Sequence, residues 1–441
     1  MNDRQLRESA RHIWEAALIA ANPATCIRKF VQVNNGVLSV DGKEIHIRGR
    51  LIVIGAGKAS ARMAQVIEEM LGSHISGGLV VAKYGHSLPL QRIKLVEAGH
   101  PTPDAAGVRA VRETRELLKG LTRDDIVLCL ISGGGSSLWP APAEGISLEV
   151  LQEVDYLLPR AGATIRELNA VRKHISDLKG GQLARWAAPA QVISLIMSDV
   201  IGDPLDFIAS GPTAPDTTSF PDALAVIQKY GIGVSEAISD RLQQGVQGKI
   251  PETPKPGDPI FKTVENHIIA NNRLLVEASS NKAGELGFNP LILGTEVEGE
   301  AKDVGGFFAA IAREIARSGN PIKAPACVLA AGETTVTVRG QGVGGRNQEM
   351  ALAWAIDMGS RPSSMNSCFA SVATDGTDGP TTAAGGMVDP LTCSRATELG
   401  LNPSKFLRAN DSSNFLKATG DLIITGPTQT NLRDLQILLV G

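Results

Sequence analysis

Short apolar runs without polar alternation recur along the first half of the chain, each followed by a Gly-rich or polar turn and a stretch of helical spacing. Strands that are buried on both faces have this composition, and they belong to parallel sheets covered by helices. The alternation predicts a doubly wound, Rossmann-like α/β domain, which binds ligands at the carboxyl ends of its strands. The predicted strands are residues 51–54, 79–82, 126–131 and 192–197.

Two helices are predicted in the same half. Apolar residues recur at helical spacing over residues 6–18, with charged residues between them, and the pattern stops before Pro23. This spacing is typical of an amphipathic helix and not of a signal peptide. A second helix is expected to begin after the N-cap residue Asp104 and to run to about Lys119.

Proline and glycine crowd residues 245–259, and this composition predicts a linker between two domains, residues 1–250 and residues 251–441. Strand and helix patterns alternate again after it, which predicts a second α/β domain with a mixed sheet. Its predicted strands are residues 267–270, 290–293, 326–330, 334–338, 368–373 and 422–425. Its predicted helices are residues 273–286, 301–318 and 347–358.

Composition narrows the expected partners to small molecules. The 441 residues include 43 basic and 46 acidic side chains, and neither half is basic, which argues against a nucleic-acid partner. No apolar run approaches the ~18 residues that a membrane span needs. The five cysteines include no CxxC pair, so they predict neither a disulfide framework nor a zinc site, and they fit the reducing cytoplasm.

The first predicted strand leads into Gly55, Gly57 and Lys58, directly before a helical stretch. Backbone N–H groups at a helix N-terminus attract phosphate or carboxylate, and Lys58 adds a positive charge. The dinucleotide fingerprint GxGxxG fails here, because Ser60 replaces its third glycine and Lys83 ends the next strand where an acidic residue is expected. The alternative is a tight turn with a solvated lysine.

A second Gly-rich loop, SGGGSS, directly follows the strand at residues 126–131. Consecutive glycines let backbone N–H groups converge on an anion, so the loop predicts an anion nest, with a plain connecting loop as the alternative. A hydrolase nucleophile is not indicated, because the elbow motif GxSxG is absent. The predicted nest residues are Ser132, Gly133, Gly134, Gly135 and Ser136.

A basic run at residues 166–181 and one carboxylate complete the candidates of the first half. Arg172 and Lys173 share a helical face with Asn169, which predicts either a clamp for an anionic substrate or a solvated basic face. Asp199 follows the fourth predicted strand, where a buried carboxylate needs a cation or a donor. We therefore expect it to accept a hydroxyl proton or to face a metal.

In the second half, Arg346 follows two glycines at a predicted helix start, and its planar fork suits phosphoryl oxygens. The string TDGTDG predicts either a turn or a Mg²⁺ site that uses one or two carboxylates. The candidate nucleotide-binding residues are Glu333, Gly344, Gly345, Asn347 and Asp375, and the candidate Mg²⁺ ligands are Asp375 and Glu333.

Six strings occur in this order along the chain: VIGAGKAS, LISGGGSSL, LNAVRKHISDLKGG, SDVIGDPLDFIASGPT, GGRNQE and ATDGTDGPTTAAGG. Together they resemble the class II glycerate 2-kinases, which carry a C-terminal MOFRL domain, over essentially the whole chain. The resemblance implies phosphorylation of D-glycerate by ATP to 2-phospho-D-glycerate, with Mg²⁺, at an active site between the two domains. It also implies that Lys58, Asp199 and Arg346 are active-site residues.

Two other functions stay open on the sequence alone. Proteins that resemble this one have often been labelled hydroxypyruvate reductases, so an NAD(P)-dependent reductase of hydroxypyruvate or tartronate-type acids is the main alternative. The broken fingerprint counts against it. A non-catalytic binder of sugar acids or phosphate is the other alternative, although one cation in each half, Lys58 and Arg346, favours catalysis. The oligomeric state is open, with a homodimer as one candidate.

Overall fold

The computed structural model of the protein describes residues 1–34, 37–361, 363 and 365–441. The chain forms two compact units. We refer to Pro23–Ile269 as the first unit, and to Met1–Asn22 together with Ala270–Gly441 as the second unit.

Strands and helices alternate along both units, as the apolar pattern predicts. The strands of the described residues are β1 (Val31–Asn34), β2 (Val37–Val40), β3 (Lys43–His46), β4 (Leu51–Ala56), β5 (Ile75–Lys83), β6 (Lys94–Ala98), β7 (Ile126–Ile131), β8 (Gln191–Met197), β9 (Val264–Ala270), β10 (Asn289–Val297), β11 (Ala326–Gly332), β12 (Ser367–Ala373), β13 (Gly385–Val388), β14 (Leu422–Ile423) and β15 (Asp434–Val440). The α-helices are α1 (Asp3–Ala20), α2 (Pro23–Phe30), α3 (Ser60–Leu71), α4 (Ala105–Leu117), α5 (Gly135–Leu138), α6 (Leu148–Arg160), α7 (Ile165–His174), α8 (Gln182–Ala187), α9 (Phe220–Tyr230), α10 (Glu236–Val246), α11 (Asn272–Glu285), α12 (Ala301–Ser318), α13 (Arg346–Ser360), α14 (Thr392–Glu398), α15 (Pro403–Arg408) and α16 (Ser412–Thr419).

The first unit is built on a six-stranded sheet with the strand order β6-β5-β4-β7-β8-β9. Neighbouring strands from β6 to β8 pair in parallel. The chain enters the sheet at β4, winds outward through β5 and β6, and then returns to β7 and winds the other way. This order confirms the predicted doubly wound sheet, and it creates a topological switch point between β4 and β7.

Burial explains the uninterrupted apolar sequences of the central strands. Strands β4 and β7 are buried at every residue, because helices cover both faces of the sheet. A separate apolar cluster joins α6, α7, α9 and α10. A small antiparallel sheet, β1-β2-β3, completes the first unit.

The second unit contains the predicted mixed sheet, with the order β10-β11-β15-β12-β13-β14. Strands β10 and β11 are parallel, and the other pairs are antiparallel. Helix α1 packs on α11, β12 and β15. Arg7 of α1 also forms ion pairs with the buried Asp389 (2.7 Å) and Asp421 (2.8 Å), which tie the helix to this unit.

The compact units divide the chain differently from the predicted boundary at residue 250. Strand β9 is an edge strand of the first sheet, and the Pro- and Gly-rich segment before it is anchored within the first unit. Glu252 accepts a hydrogen bond from Phe220 N (2.9 Å), and Thr253 donates one to Asp216 (2.9 Å). The segment is therefore an internal connection of the first unit, and α1 belongs to the second unit although it comes first in the sequence.

Two strand predictions for the second unit need correction. Residues 334–338 form no strand, and an isolated bridge joins Thr335 to Glu300 there. The position beside β11 is instead taken by β15, which is buried along its whole length. The strand predicted at residues 422–425 shortens to the two residues of β14.

Two predicted helix boundaries agree with the structure. Helix α1 ends ahead of Pro23, and the side chain of Asp104 caps α4 by accepting a hydrogen bond from Gly107 N (3.0 Å). All five cysteines are free, and Cys129 and Cys327 are core residues. Within the described ranges, no helix is both long enough and apolar enough to cross a membrane.

Candidate active site

The carboxyl ends of β4, β7 and β8 lie side by side at one edge of the first sheet. Ala56 pairs with Ile131 across β4 and β7, and Ile131 pairs with Ile196 across β7 and β8. The loops that follow these three strands carry Lys58, the SGGGSS sequence and Asp199, respectively. Parallel pairing therefore brings three predicted groups of the first half to the same edge, beside the switch point.

The loop after β4 packs directly on the loop after β7. Lys58 N donates to Gly133 O (2.8 Å), and Ala59 N donates to Ser132 Oγ (3.0 Å). Gly57 has a φ of +147°, and a Cβ built there would lie 2.1 Å from Ser132 Oγ. This close approach requires glycine, so Gly57 positions Lys58 against the second loop.

Residues 132–136, which we call the anion nest, retain donors for a ligand. The backbone N–H groups of Gly133, Gly134 and Ser136 donate to no acceptor within the described part of the chain. Gly134 is left-handed, with a φ of +85°, and Gly134 and Ser136 are half-buried, so this turn is accessible. A Cβ on Gly134 would lie 2.8 Å from the His100 ring, so His100 borders the nest. The geometry favours the predicted nest over a plain loop.

Gly55 and Gly135 have packing roles beside the nest. A Cβ on Gly55 would lie 2.3 Å from Leu130 O, because the glycine sits within β4 against β7. A Cβ on Gly135 would lie 3.0 Å from both the Ala209 Cβ and Ala56 O. These two glycines let the backbones approach each other, and their predicted ligand contacts have no further support.

Lys179 lies behind the nest and was missing from the predicted site. Its side chain is about 1% exposed, and its Nζ donates to Ser136 O (2.7 Å) and Ser136 Oγ (2.8 Å). Burial and the nearby Arg172 lower the pKa of Lys179 to about 7, against the opposing effect of Asp155. The only sequence signal was its place at the end of the basic run, directly before two glycines.

The segment at residues 209–211 closes the other side of the nest. Ala209 and Ser210 are both left-handed, with φ values of 50° and 61°, which non-glycine residues rarely adopt. Ser210 Oγ lies 2.9 Å from Ser136 Oγ and donates to Asn169 Oδ1 (2.9 Å). Gly180 N donates to Ser210 O (2.9 Å), which helps to hold this strained turn.

Asp199 occupies the predicted position. It comes two residues after the end of β8 and is half-buried. The preceding residue forms a local turn, in which Val200 N donates to Ser198 Oγ (3.3 Å). Asp199 is thus carried by a defined turn at the same sheet edge as the nest.

The other members of the basic run have protein partners. Arg172 Nε donates to Asp155 (2.6 Å), and the buried Lys173 contacts Asp206 (3.1 Å) and Asp216 (3.2 Å). These ion pairs account for both cations structurally. The predicted substrate contacts of Arg172 and Lys173 therefore have no geometric support beyond their proximity in sequence to Lys179.

In the second unit, carboxylates hold Arg346 at the start of α13. Arg346 Nη2 donates to Asp434 (2.9 Å), Nε also donates to Asp434, and Nη1 lies 3.1 Å from Glu333. Burial raises the pKa of the fully buried Asp434 to about 6, and Asp378 adds to this effect while Arg346 opposes it. The fork of Arg346 is thus already used by Asp434, which the sequence did not indicate. The Arg346 side chain is 29% exposed, so part of it is accessible to a ligand.

The predicted Mg²⁺ ligands fit a metal poorly. Glu333 lies between two guanidinium groups, with Oε1 3.1 Å from Arg346 and Oε2 3.2 Å from Arg433. A divalent cation there would have to displace both arginines. Asp375 Oδ1 accepts hydrogen bonds from Thr377 N (3.0 Å) and Thr377 Oγ1 (3.1 Å), and this pattern is that of a turn. No group of three or more His, Cys, Asp or Glu side chains suited to a metal occurs over the described residues.

The remaining nucleotide-binding candidates support the start of α13. Asp378 accepts hydrogen bonds from Asn347 N (3.1 Å) and Gln348 N (2.9 Å), so its carboxylate occupies the helix N-terminus. Asn347 is fully buried and also accepts from Ser371 Oγ. A Cβ on Gly345 would lie 2.3 Å from the Asp378 Cγ, and one on Gly344 would lie 2.2 Å from Ser412 Oγ. Gly344, Gly345 and Asn347 therefore pack the loop that presents Arg346.

Comparison with known proteins agrees with this architecture. Residues 9–243 match the family described as a domain of unknown function, DUF4147, and residues 326–434 match the MOFRL family. A D-glycerate 2-kinase of Thermotoga maritima is 45% identical over 392 residues, which cover 89% of this chain and 91% of that protein. An Agrobacterium vitis protein provisionally named hydroxypyruvate reductase is 41% identical and covers 100% of this chain and 96% of its own length.

Solved structures show the same relationship. The crystal structure of a glycerate kinase from Thermotoga maritima aligns with a TM-score of 0.88 at 41% identity, covering 99% of this chain and 100% of that chain. The DUF4147 match alone spans more than half of the chain. With both domain matches in the order that the six sequence strings predict, the chain belongs to the class II glycerate 2-kinase family.

Proposed function

We propose that this protein transfers the γ-phosphoryl group of ATP to the C2 hydroxyl of D-glycerate, giving ADP and 2-phospho-D-glycerate. The observation that carries the proposal is the juxtaposition of Lys58, the anion nest and Asp199 beside the switch point, in a chain related over nearly its full length to glycerate kinases. Phosphoryl transfer needs donors and cations on the phosphates and a carboxylate near the acceptor hydroxyl, and these residue types meet here.

The anion nest is the proposed anchor of the glycerate carboxylate. Its three uncommitted N–H donors, on Gly133, Gly134 and Ser136, suit a small planar anion. A carboxylate held there leaves the C2 hydroxyl only one carbon away from the anchor. Transfer to C2, and not to the more distant C3 hydroxyl, follows from this placement.

Asp199 is the proposed acceptor of the hydroxyl proton. It lies just after β8, which pairs with β7, the strand that leads into the nest. As the C2 oxygen bonds to phosphorus, the bond from phosphorus to the leaving ADP oxygen breaks, and the hydroxyl proton passes to Asp199. General-base assistance of this kind contributes about 10²–10⁴-fold to a rate.

Lys58 and Arg346 are the proposed cations on the transferring phosphoryl group. Charge on the bridging and leaving oxygens grows toward the transition state, so a preorganised cation contributes most there. Mg²⁺ would enter as the MgATP complex, because it prefers phosphate oxygens with one or two carboxylates. Glu333 is unsuited to hold it, because both of its carboxylate oxygens contact arginines. Asp375 remains a predicted Mg²⁺ ligand.

The alternative is a nicotinamide-dependent reductase, since the related Agrobacterium vitis protein is provisionally named hydroxypyruvate reductase. The turn after β4 lacks the third glycine of the dinucleotide fingerprint, since Ser60 stands there, and β5 ends in Lys83 where a ribose-binding carboxylate is expected. Both features favour the kinase.

A product assay separates the two activities. Purified protein with D-glycerate and MgATP is expected to form ADP stoichiometrically with a phosphoglycerate, and ³¹P and ¹H NMR of the first product should show 2-phosphoglycerate. Hydroxypyruvate-dependent oxidation of NADH or NADPH without ADP formation from glycerate would reject the proposal. Initial formation of 3-phosphoglycerate would reject the carboxylate anchor. We also propose a cytoplasmic location and a homodimer, which fractionation and sedimentation would test.

A further inference from the structure

Lys179 is a buried ammonium whose two acceptors are both neutral oxygens of Ser136. Over the described residues, no carboxylate lies within 4.0 Å of its Nζ. The buried Lys173, six residues earlier, contacts two aspartates. Burying a cation without a counter-charge is costly, so the position of Lys179 needs an explanation beyond packing.

A chain of hydrogen bonds leads from Lys179 through Ser136 and Ser210 to Asn169. Lys179 donates to Ser136 Oγ, and Ser210 Oγ donates to Asn169 Oδ1. Since the Ser210 proton is committed to Asn169, the 2.9 Å contact between the serines is a bond from Ser136 to Ser210. With Lys179 charged, Ser136 Oγ is thus the acceptor of the ammonium and the donor to Ser210. The Ser136 N–H group, in contrast, donates to no acceptor within the described part of the chain.

Several charged groups surround Lys179 and the nest, and none of them neutralises the ammonium. Arg172 is paired with Asp155, Lys173 with Asp206 and Asp216, and Asp177 lies 3.9 Å from Arg241. Lys58 and His100 border the nest from the loop side. These side chains are paired with one another and thus supply no counter-charge to the ammonium.

We propose that Lys179 is a positioning residue that takes up a proton when the carboxylate of the substrate binds in the anion nest. This inference rests on the proposed function, since it takes glycerate as the anion. An anion in the nest favours the charged ammonium, and the charged ammonium in turn holds Ser136 and strengthens the nest. Thermodynamic linkage makes the two effects reciprocal.

The size of the coupling follows from the titration of the empty site. Burial, together with Arg172, lowers the pKa of Lys179 to about 7, so the amine of the unliganded protein is mostly neutral at pH 8 and mostly charged at pH 6. If glycerate binds the charged form, binding takes up about nine-tenths of a proton at pH 8 and about a tenth at pH 6. The KM for D-glycerate then rises toward tenfold per pH unit above pH 7, while kcat changes less.

Isothermal titration calorimetry measures this proton uptake directly. D-Glycerate is titrated into the whole protein at pH 6 and at pH 8, each in two buffers of different ionisation enthalpy, neither of them phosphate. Lys179→Met should abolish the uptake and raise KM at every pH. Lys179→Arg keeps a permanent charge, so it should bind glycerate without uptake and with a flat KM between pH 7 and 9. Lys229→Met is the matched control, because Lys229 pairs with Glu167 on the surface. It should keep the wild-type uptake.

The outcomes separate this inference from the proposed function. Wild-type protein that forms ADP from D-glycerate, yet takes up less than about a fifth of a proton at pH 8, would overturn the role of Lys179 alone. Unchanged uptake in Lys179→Met would assign the proton to another group and would also overturn it. Absence of both turnover and glycerate binding in the wild type would reject the proposed function itself. Should Lys179→Met fail to fold, the proton uptake of the wild type and the pH dependence of KM in Lys179→Arg still test the role of Lys179.

Discussion

Replacing Arg346 by lysine is expected to lower kcat strongly and stability only moderately. The substitution keeps a positive charge but cannot reproduce the fork that donates through Nε and Nη2 to Asp434 while Nη1 faces Glu333. A lysine can meet only one of these carboxylates. Held by Glu333, which also pairs with Arg433, it would leave the buried Asp434 without an arginine partner; held by Asp434, it would draw its charge away from Glu333. We expect kcat to fall about 10²–10³-fold, the usual loss of one preorganised donor.

The cost in stability is limited by the carboxylate itself. Breaking a buried ion pair costs about 3–5 kcal/mol when the remaining charge stays buried. Asp434 has a pKa raised by burial to about 6, so protonating it at pH 7 costs one pKa unit, about 1.4 kcal/mol, and less once Arg346 is gone. With the lost hydrogen bonds, we expect a decrease of about 1–3 kcal/mol in the free energy of unfolding. For a unit of this size that corresponds to a Tm decrease of roughly 3–10 °C.

A matched variant separates catalysis from structure. Arg395 pairs with the buried Asp389 (2.9 Å) and Asp421 (3.0 Å) in the same unit, away from Arg346, so Arg395→Lys makes the same chemical change outside the candidate site. Coupled ADP assays and thermal melts of both variants are compared. Arg395→Lys should lose a similar amount of stability and keep kcat within about threefold. A kcat near the wild-type value in Arg346→Lys would refute the phosphoryl role, and equal kcat losses in both variants would make the effect structural.

Three further predictions concern the first unit and its coupling to Arg346. Asp199→Asn should lower kcat by about 10²–10⁴-fold in a folded protein, and a near wild-type kcat would remove Asp199 from the mechanism. Combining Lys58→Met with Arg346→Met should lose less than the product of the single losses if both cations act, as proposed, on one phosphoryl group; multiplicative losses would show independent action. Gly57→Ala should cost roughly 1–3 kcal/mol and much of the activity, since its Cβ would lie 2.1 Å from Ser132 Oγ. Gly77→Ala, which meets no atom within 4 Å, should be neutral in melts and assays.

Buried strands were the part of the fold that the sequence predicted best. Strands β4 and β7 are apolar throughout, and β8 departs from this pattern only at Gln191 and Ser194, because both faces of these strands are covered. Strand β15 was missed because DLQILLV suits a helix as well as a strand, and its pairing with β11 and β12 decides the outcome. Strand β6 is half-exposed at the sheet edge and lacks the apolar signal. Long-range pairing, which a local pattern cannot encode, accounts for these differences.

Positions at strand ends were likewise predictable, whereas the partners of the side chains were not. The loops after β4, β7 and β8 had to meet once the sheet was doubly wound, so Lys58, the nest and Asp199 could be placed together. Asp434 lies 88 residues from Arg346, and no local feature marks it as the partner of that guanidinium. The same holds for Asp378, whose carboxylate occupies the helix start that seemed open to a phosphate.

The two buried lysines of the basic run show how far environment outweighs residue type. Lys173 and Lys179 have the same charge, lie six residues apart and are each about 1% exposed. Lys173 meets carboxylates that lie 33 and 43 residues further along the chain, so its charge is already compensated in the folded protein. Lys179 instead meets the hydroxyl and carbonyl of a serine in a turn with uncommitted N–H groups, so its charge is compensated only when an anion arrives. The first arrangement stabilises a fold, and the second links binding to protonation, although the sequence presents both as positions on one basic stretch.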